Sequence, residues 1–301
     1  MFEEAESACY VPVREQAWRG RRLVPARTGW DPDGESFGTT ARHLRGVGLD
    51  VDAWIVLTHN DTLGARHPDL VVRNAFGDAL PYALCPGADE VQEYCVTLVE
   101  EIVRSAPLAG VVLESCGQMG IDHAGTHDKI QFANWDAVRR VLLSVCFCAA
   151  CTRRYAAAGL DPDRVAAAVR AGVDSGCQTV DECLGGDLAQ LAAIRTGVTE
   201  QLRTRLVAAS RSESPHVRIT VHGSSDPWAT GSFATLAPVA GDGLDAVVAS
   251  CWDPADATAR IGGCGGWPPS RRKWAPICGS TADGRAASRR TSASGSTSVP
   301  G

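Results

Sequence analysis

Three thiols stand at Cys146, Cys148 and Cys151 in the run "SVCFCAACTRRY", a Cys-x-Cys-x-x-Cys spacing. Thiolates so spaced can supply three ligands of a tetrahedral zinc, with a fourth from elsewhere. Cys177, Cys183 and Cys116 are the candidates for that fourth ligand. The same run also reads as core with packed free thiols, since Val145 and Phe147 are apolar, or as a disulfide. Zinc held by three or four thiolates has no open position, so it would be structural, and catalysis would need no cofactor.

A second set of reactive groups follows four apolar runs. His59 and Asn60 end "VDAWIVLTHN", Glu114 and Ser115 end "GVVLES", His222 lies in "VRITVHG", and Trp252 and Asp253 end "LDAVVASCWD". A carboxylate at such an end suits general acid/base or nucleophilic work, which makes Glu114 the first catalytic candidate. The alternative is a structural Glu paired with an Arg. Bond cleavage by paired carboxylates needs a second one. Asp122, Asp226 and Asp253 all follow predicted strands, and Asp253 is taken as the partner.

His59, Asn60 and His222 would bind substrate hydroxyls, and Trp252 or Trp54 would offer a stacking face, although Trp in such strands is more often core. His123 and His127 in "GIDHAGTHDK" stand four apart, but Gly125 favours a loop, so they read as substrate-loop histidines. A metal-dependent hydrolase built on His59, His123, His127 and His222 is the competing enzyme. A non-catalytic carbohydrate-binding barrel is the third reading.

The elements that position these groups alternate. The four apolar runs read as buried parallel strands, and "DEVQEYCVTLVEEIVR" and residues 187–210 show helical faces between them. A shorter helix covers 37–46. Strands alternating with helices predict βα units and a mostly parallel sheet. No Gly-x-Gly-x-x-Gly follows a strand, which weighs against a dinucleotide fold. Polar strand ends converging on one face favour a (β/α)8 TIM-type barrel. Only four or five of its eight strands are legible, so the barrel is expected to be incomplete at its ends.

Composition agrees with a folded body. Hydrophobic residues make up 45% of 301, and the net charge of −6 gives no reason to expect nucleic acid. Residues 264–301 carry six basic groups and one acid, Asp283, leaving the body strongly acidic. The domain is therefore placed at 1–263, and 264–301 reads as a basic, low-complexity, disordered tail. "MFEEAESACY" lacks a basic start and an apolar stretch, and no run reaches membrane-spanning length, so a cytoplasmic address without membrane contact is expected. There thiols stay reduced, and twelve cysteines read as core thiols and ligands rather than a disulfide framework.

The stretch "ALCPGADEVQEYCVTLVEEIVRSAPLAGVVLES" resembles the glycoside-hydrolase-like TIM barrels, in which a Cys-Pro-(Asn)-x-Pro-Glu-Val-Arg-x-Tyr helix precedes a strand ending in Asp or Glu. Cys85, Pro86, Glu90, Val91, Tyr94 and the Gly-Val-Val-Leu-Glu strand match, while Gly87, Ala88 and Asp89 depart. "LTHNDTLGARHPDLVVRNAFGD" with "YALCP" looks like the substrate-side loops of an actinobacterial branch of unassigned function. "CFCAACTRRY" is similar to a stretch of β-galactosidase barrels that bind structural zinc. Together these cover residues 50 to 160. The resemblance implies a TIM barrel over the whole chain, a carbohydrate or glycoside substrate, and glycosidic-bond hydrolysis.

Overall fold

The structure is a computed structural model, and it describes residues 7–122, 135–236 and 243–250. His123, His127, Trp252, Asp253 and the tail from 264 lie outside the described residues.

The chain opens with β1 (Ala8–Cys9), α1 (Glu15–Trp18), β2 (Ala26–Arg27) and α2 (Glu35–Gly46). The first long strand, β3 (Asp52–Val56), leads to α3 (Asp61–Arg66), a hairpin of β4 (Val71–Arg73) and β5 (Ala79–Leu84), and α4 (Asp89–Ser105). Next come β6 (Gly110–Glu114), α5 (Ala137–Leu143), α6 (Ala149–Ala157), α7 (Pro162–Ser175), α8 (Val180–Leu184) and α9 (Leu188–Glu213). The described chain ends with β7 (Arg218–Ser224), β8 (Ala234–Thr235) and β9 (Ala246–Val248).

The main sheet is wholly parallel. Its order is β3-β6-β7, with β8 on the far end of β7 and β9 along its nearer half. This confirms an α/β protein with a parallel sheet. Among the described residues β3 pairs with β6 alone, so the sheet is open and they do not close a barrel.

Strand periodicity decides which face is covered. Ala53 and Ile55, Val111 and Leu113, and Ile219 and Val221 are buried and share one core with Val91, Leu98 and Val99 of α4 and Leu202 and Leu206 of α9. The two helices pack on each other over that face. The alternate positions face the other way: Trp54 is 59% exposed and Val56 39%. This side also carries Glu114 and His222, and among the described residues it is unevenly covered, since His222 is buried beneath Phe233.

Local rules explain the boundaries. The Asn60 carboxamide caps α3 by accepting from the Leu63 N–H at 2.8 Å. Asp161 caps α7, Pro162 opens it, and Gly176, at φ 69°, closes it. No helix among the described residues is long and apolar enough to cross a membrane.

Candidate active site and thiol centre

Glu114 is the last residue of β6, and both its oxygens are held. Oε2 accepts from the Trp54 indole N–H at 2.5 Å, and Oε1 accepts from the Ser232 hydroxyl at 2.9 Å. Adjacent strands create this grouping: β3 pairs with β6 in register from Asp52↔Gly110, which places Trp54 beside the Glu114 side of the sheet. His222, from β7, brings its Nδ1 to 3.9 Å from Glu114 Oε2, beyond a hydrogen bond. The imidazole is 2% exposed, and Nδ1 has no hydrogen-bond partner. It stacks on Phe233 at 4.9 Å and meets the Trp54 edge at 5.1 Å. Burial lowers the His222 pKa from its ordinary value, with Glu114 opposing more weakly. The imidazole is therefore neutral near pH 7 and does not lock Glu114 into an ion pair.

The turn after Glu114 is strained. Ser115 has φ 52°, the one non-glycine in the left-handed region among the described residues. Neighbours hold it there: its N–H donates to the Ser232 carbonyl at 3.1 Å, and the Thr58 hydroxyl donates to its carbonyl at 2.8 Å. Such strain costs about 1–3 kcal/mol and persists where surroundings over-determine it. Ser232 thus grips Glu114 by side chain and Ser115 by backbone.

Two clefts flank the group. One of about 450 Å³ is lined by Asp122, Arg140, Asp226, Trp228, Thr230 and Phe233. The other, about 380 Å³, is lined by Tyr10, Phe37, Trp54, His59, Asn60 and Tyr94. Glu114 and His222 line neither, but Phe233 joins them to the first and Trp54 to the second.

The predicted site residues scatter over these places. His59 and Asn60 share the smaller cleft, but the Asn60 amide is committed to the α3 cap and to the Tyr94 hydroxyl at 3.3 Å. Asp122 lines the larger cleft and pairs with Arg140 at 3.1 Å. Asp226 lines it too and accepts from the Trp228 N–H at 2.8 Å. Among the described residues His59 and His222 join no group at metal-ligand spacing. Sequence reasoning missed Ser232 and Phe233, which sit in a loop without a motif. It also undervalued Trp54, whose outward position in the alternation marked it as non-core.

The thiols form a second centre. Cys146, Cys148 and Cys151 gather with Cys85, all four sulfurs lying within 4.8 Å of one another and all four residues buried. Cys85 Sγ is 3.5 Å from Cys151 Sγ and 3.7 Å from Cys146 Sγ. Zinc–sulfur bonds of about 2.3 Å give a tetrahedral sulfur–sulfur edge of about 3.8 Å, so the spacing fits a metal. The fourth member is Cys85, not Cys116, Cys177 or Cys183. Cys116 is a free buried thiol, and Cys177 and Cys183 form a disulfide. The overlooked signal was Cys85-Pro86-Gly87: a Cβ on Gly87 would stand 3.1 Å from Cys151 Sγ and 3.3 Å from Cys85 Sγ. Only a glycine lets that turn approach the sulfurs freely.

The surroundings treat the four thiols unequally. Cys146 Sγ accepts from the backbone N–H of Arg73 at 3.5 Å and of Cys148 at 3.4 Å. Cys148 is the residue before α6, at the positive end of the helix. Its thiol is held well below the ordinary range, first by hydrogen bonds from Cys146, Cys151 and Cys85. Cys85 is pushed well up by the same neighbours, Cys146 first. A dication would relieve the repulsion among thiolates gathered this closely.

No protein-family model matches the chain, and no curated protein matches it. Among solved structures, the alpha-L-fucosidase isoenzyme 2 from Paenibacillus thiaminolyticus aligns at TM-score 0.44 and 14% identity, over 72% of this chain and 26% of that one. The beta-galactosidase from the psychrophilic Marinomonas ef1 aligns at TM-score 0.45 and 14% identity, over 80% of this chain and 36% of that one. The chain thus spans about a quarter to a third of their lengths. Likeness at this level carries no argument, and the functional reading rests on the chain's own geometry.

Proposed function

We propose that the protein is a glycoside-hydrolase-like (β/α)8-type barrel protein in which Glu114 exchanges a proton with a glycosidic oxygen. One observation carries the reading: Glu114 ends a central parallel strand, its oxygens oriented by Trp54 and Ser232 beside a neutral, buried imidazole. Parallel α/β sheets place chemistry at that end of their strands. Trp54 and Ser232 fix the carboxyl group, so proton transfer needs no side-chain search. Asp253 remains the proposed second carboxylate, with Asp226 and Asp122, from the larger cleft, as its rivals. The thiol centre takes a structural zinc on Cys85, Cys146, Cys148 and Cys151, and plays no direct part in bond cleavage.

A panel of aryl glycosides tests this. Wild type should turn over at least one of them, and Glu114→Gln should lower that turnover by about 10²–10⁴-fold with the fold retained. Activity of folded Glu114→Gln equal to wild type would end the assignment. A deeper loss at His59 or His222 than at Glu114 would favour the metal-dependent hydrolase.

A further inference from the structure

We propose that Arg195 is the counter-ion of a tetrathiolate metal centre, acting on it through Gln118. This rests on the zinc reading of the four thiols and goes beyond it. Arg195 lies in α9 and is only 6% exposed. Its guanidinium donates from Nη1 to Gln118 Oε1 at 2.8 Å, from Nη2 to the Ala229 carbonyl at 2.6 Å, and from Nε to the Pro227 carbonyl at 3.3 Å. Longer contacts of 3.4 Å reach the carbonyls of Gln118 and Trp228. Every one of these acceptors is a neutral amide oxygen. Among the described residues no carboxylate forms an ion pair with Arg195; Asp226 attracts it only through space.

A buried cation without an anion is costly, and hydrogen bonds to amides offset only part of that cost. A closer anionic partner than Asp226 would lie one side chain away. Gln118, 6% exposed, accepts from Arg195 through its oxygen and donates from Nε2 to Cys151 Sγ at 3.9 Å. A divalent metal on four thiolates carries a net charge of −2, also buried, and equally in need of a counter-charge. The two groups answer each other: Arg195 offsets the thiolates, and the polarised Gln118 amide carries the influence to Cys151.

The arrangement also links the two centres. The carbonyls of Pro227 and Ala229 that Arg195 holds belong to the loop leading to Ser232, whose hydroxyl orients Glu114. Loading the thiol site therefore steadies the loop that positions the acid/base candidate.

Zinc affinity of the full-length protein, read by competition with a chromophoric chelator, tests the proposal. Cobalt(II) thiolate charge-transfer absorption serves as a second readout. Outer-shell partners of metal ligands typically contribute about 10–100-fold in affinity. Arg195→Met should weaken zinc binding by that order, and Arg195→Lys should recover part of it. Should Arg195→Met not fold, Gln118→Leu carries the test, since it cuts the link to Cys151 without adding a charge. If Arg195 serves the metal, Gln118→Leu loses affinity by about tenfold while remaining folded, and its cobalt absorption shifts. If Arg195 merely braces the loop, folded Gln118→Leu binds zinc as wild type does, and the proposal falls. Wild type that takes up no zinc would overturn the metal reading itself, an outcome separate from equal affinities.

Discussion

At the scale of single residues, the site is built from side chains whose neighbours were set by strand register. Glu114 and His222 were legible because a carboxylate and an imidazole at the ends of apolar strands are conspicuous. Ser232 and Phe233 were not, since nothing in "TGSFAT" signals that a loop returns across β6. The Asn60 reading shifted for a local reason: an Asn just before a short helix is an N-cap before it is a ligand for anything else. His222 yields a prediction in pH. Its folded pKa is lowered by burial, so the unfolded chain takes up a proton first on acidification. The His222 contribution is thus fully present above the usual imidazole pKa of about 6.5, and it is lost as pH falls through that value toward the folded pKa. Urea midpoints measured between about pH 5 and 8 should fall on the acid side. The fall should be shallower in His222→Gln, and an identical slope would show that His222 does not titrate on unfolding.

At the scale of elements, periodicity was a good guide where segments were long. The helix read at 89–104 is α4, 89–105, and the helix read at 187–210 is α9, 188–213. The β4/β5 hairpin was missed because its strands are short and Pro81 interrupts the second. α7 was missed too, though Asp161, Pro162 and Gly176 mark both of its ends. The mid-α9 Arg195, on the same face as Leu191, Val198 and Leu202, was the sequence's sign of a buried cation. The α3–hairpin contact makes a sharp prediction. A Cβ on Gly64 would lie 1.7 Å from the Pro81 carbonyl oxygen, a backbone atom that cannot swing away. Gly64→Ala should therefore destabilise the protein by at least about 1–3 kcal/mol, the usual overpacking cost. Denaturant titration measures it, and a neutral result would mean α3 and β5 are not packed as described.

At the scale of the whole molecule, the parallel α/β sheet was readable, and closure into a barrel was not. Closure depends on pairing between distant strands, and no local pattern records it. One sheet face is unevenly covered among the described residues, with Trp54 exposed and His222 buried beside it. The thiol centre is the other global feature, since it ties the turn at Cys85 to the start of α6. Three of its four members were legible: the clustered cysteines announce themselves, whereas Cys85 is 61 residues away from Cys146. Chelation should lower the melting temperature. A metal present at a thousandfold its dissociation constant adds about 4 kcal/mol, or roughly 8–16 °C for a chain of this size. Cys85→Ser should mimic chelation as fully as Cys146→Ser does. A Cys85→Ser protein with wild-type zinc content would remove Cys85 from the ligand set.

The central claim, that Glu114 hands a proton to a glycosidic oxygen, is tested most directly by leaving-group dependence. Take two aryl glycosides of the same sugar, one with an acidic phenol and one with a weakly acidic phenol, and compare kcat/KM for wild type and Glu114→Gln. A proton donor matters most when the leaving group is poor, so the account predicts a loss of about 10²–10⁴-fold on the poor leaving group and a much smaller loss on the good one. Equal losses on both substrates, or none on the poor one, would contradict it.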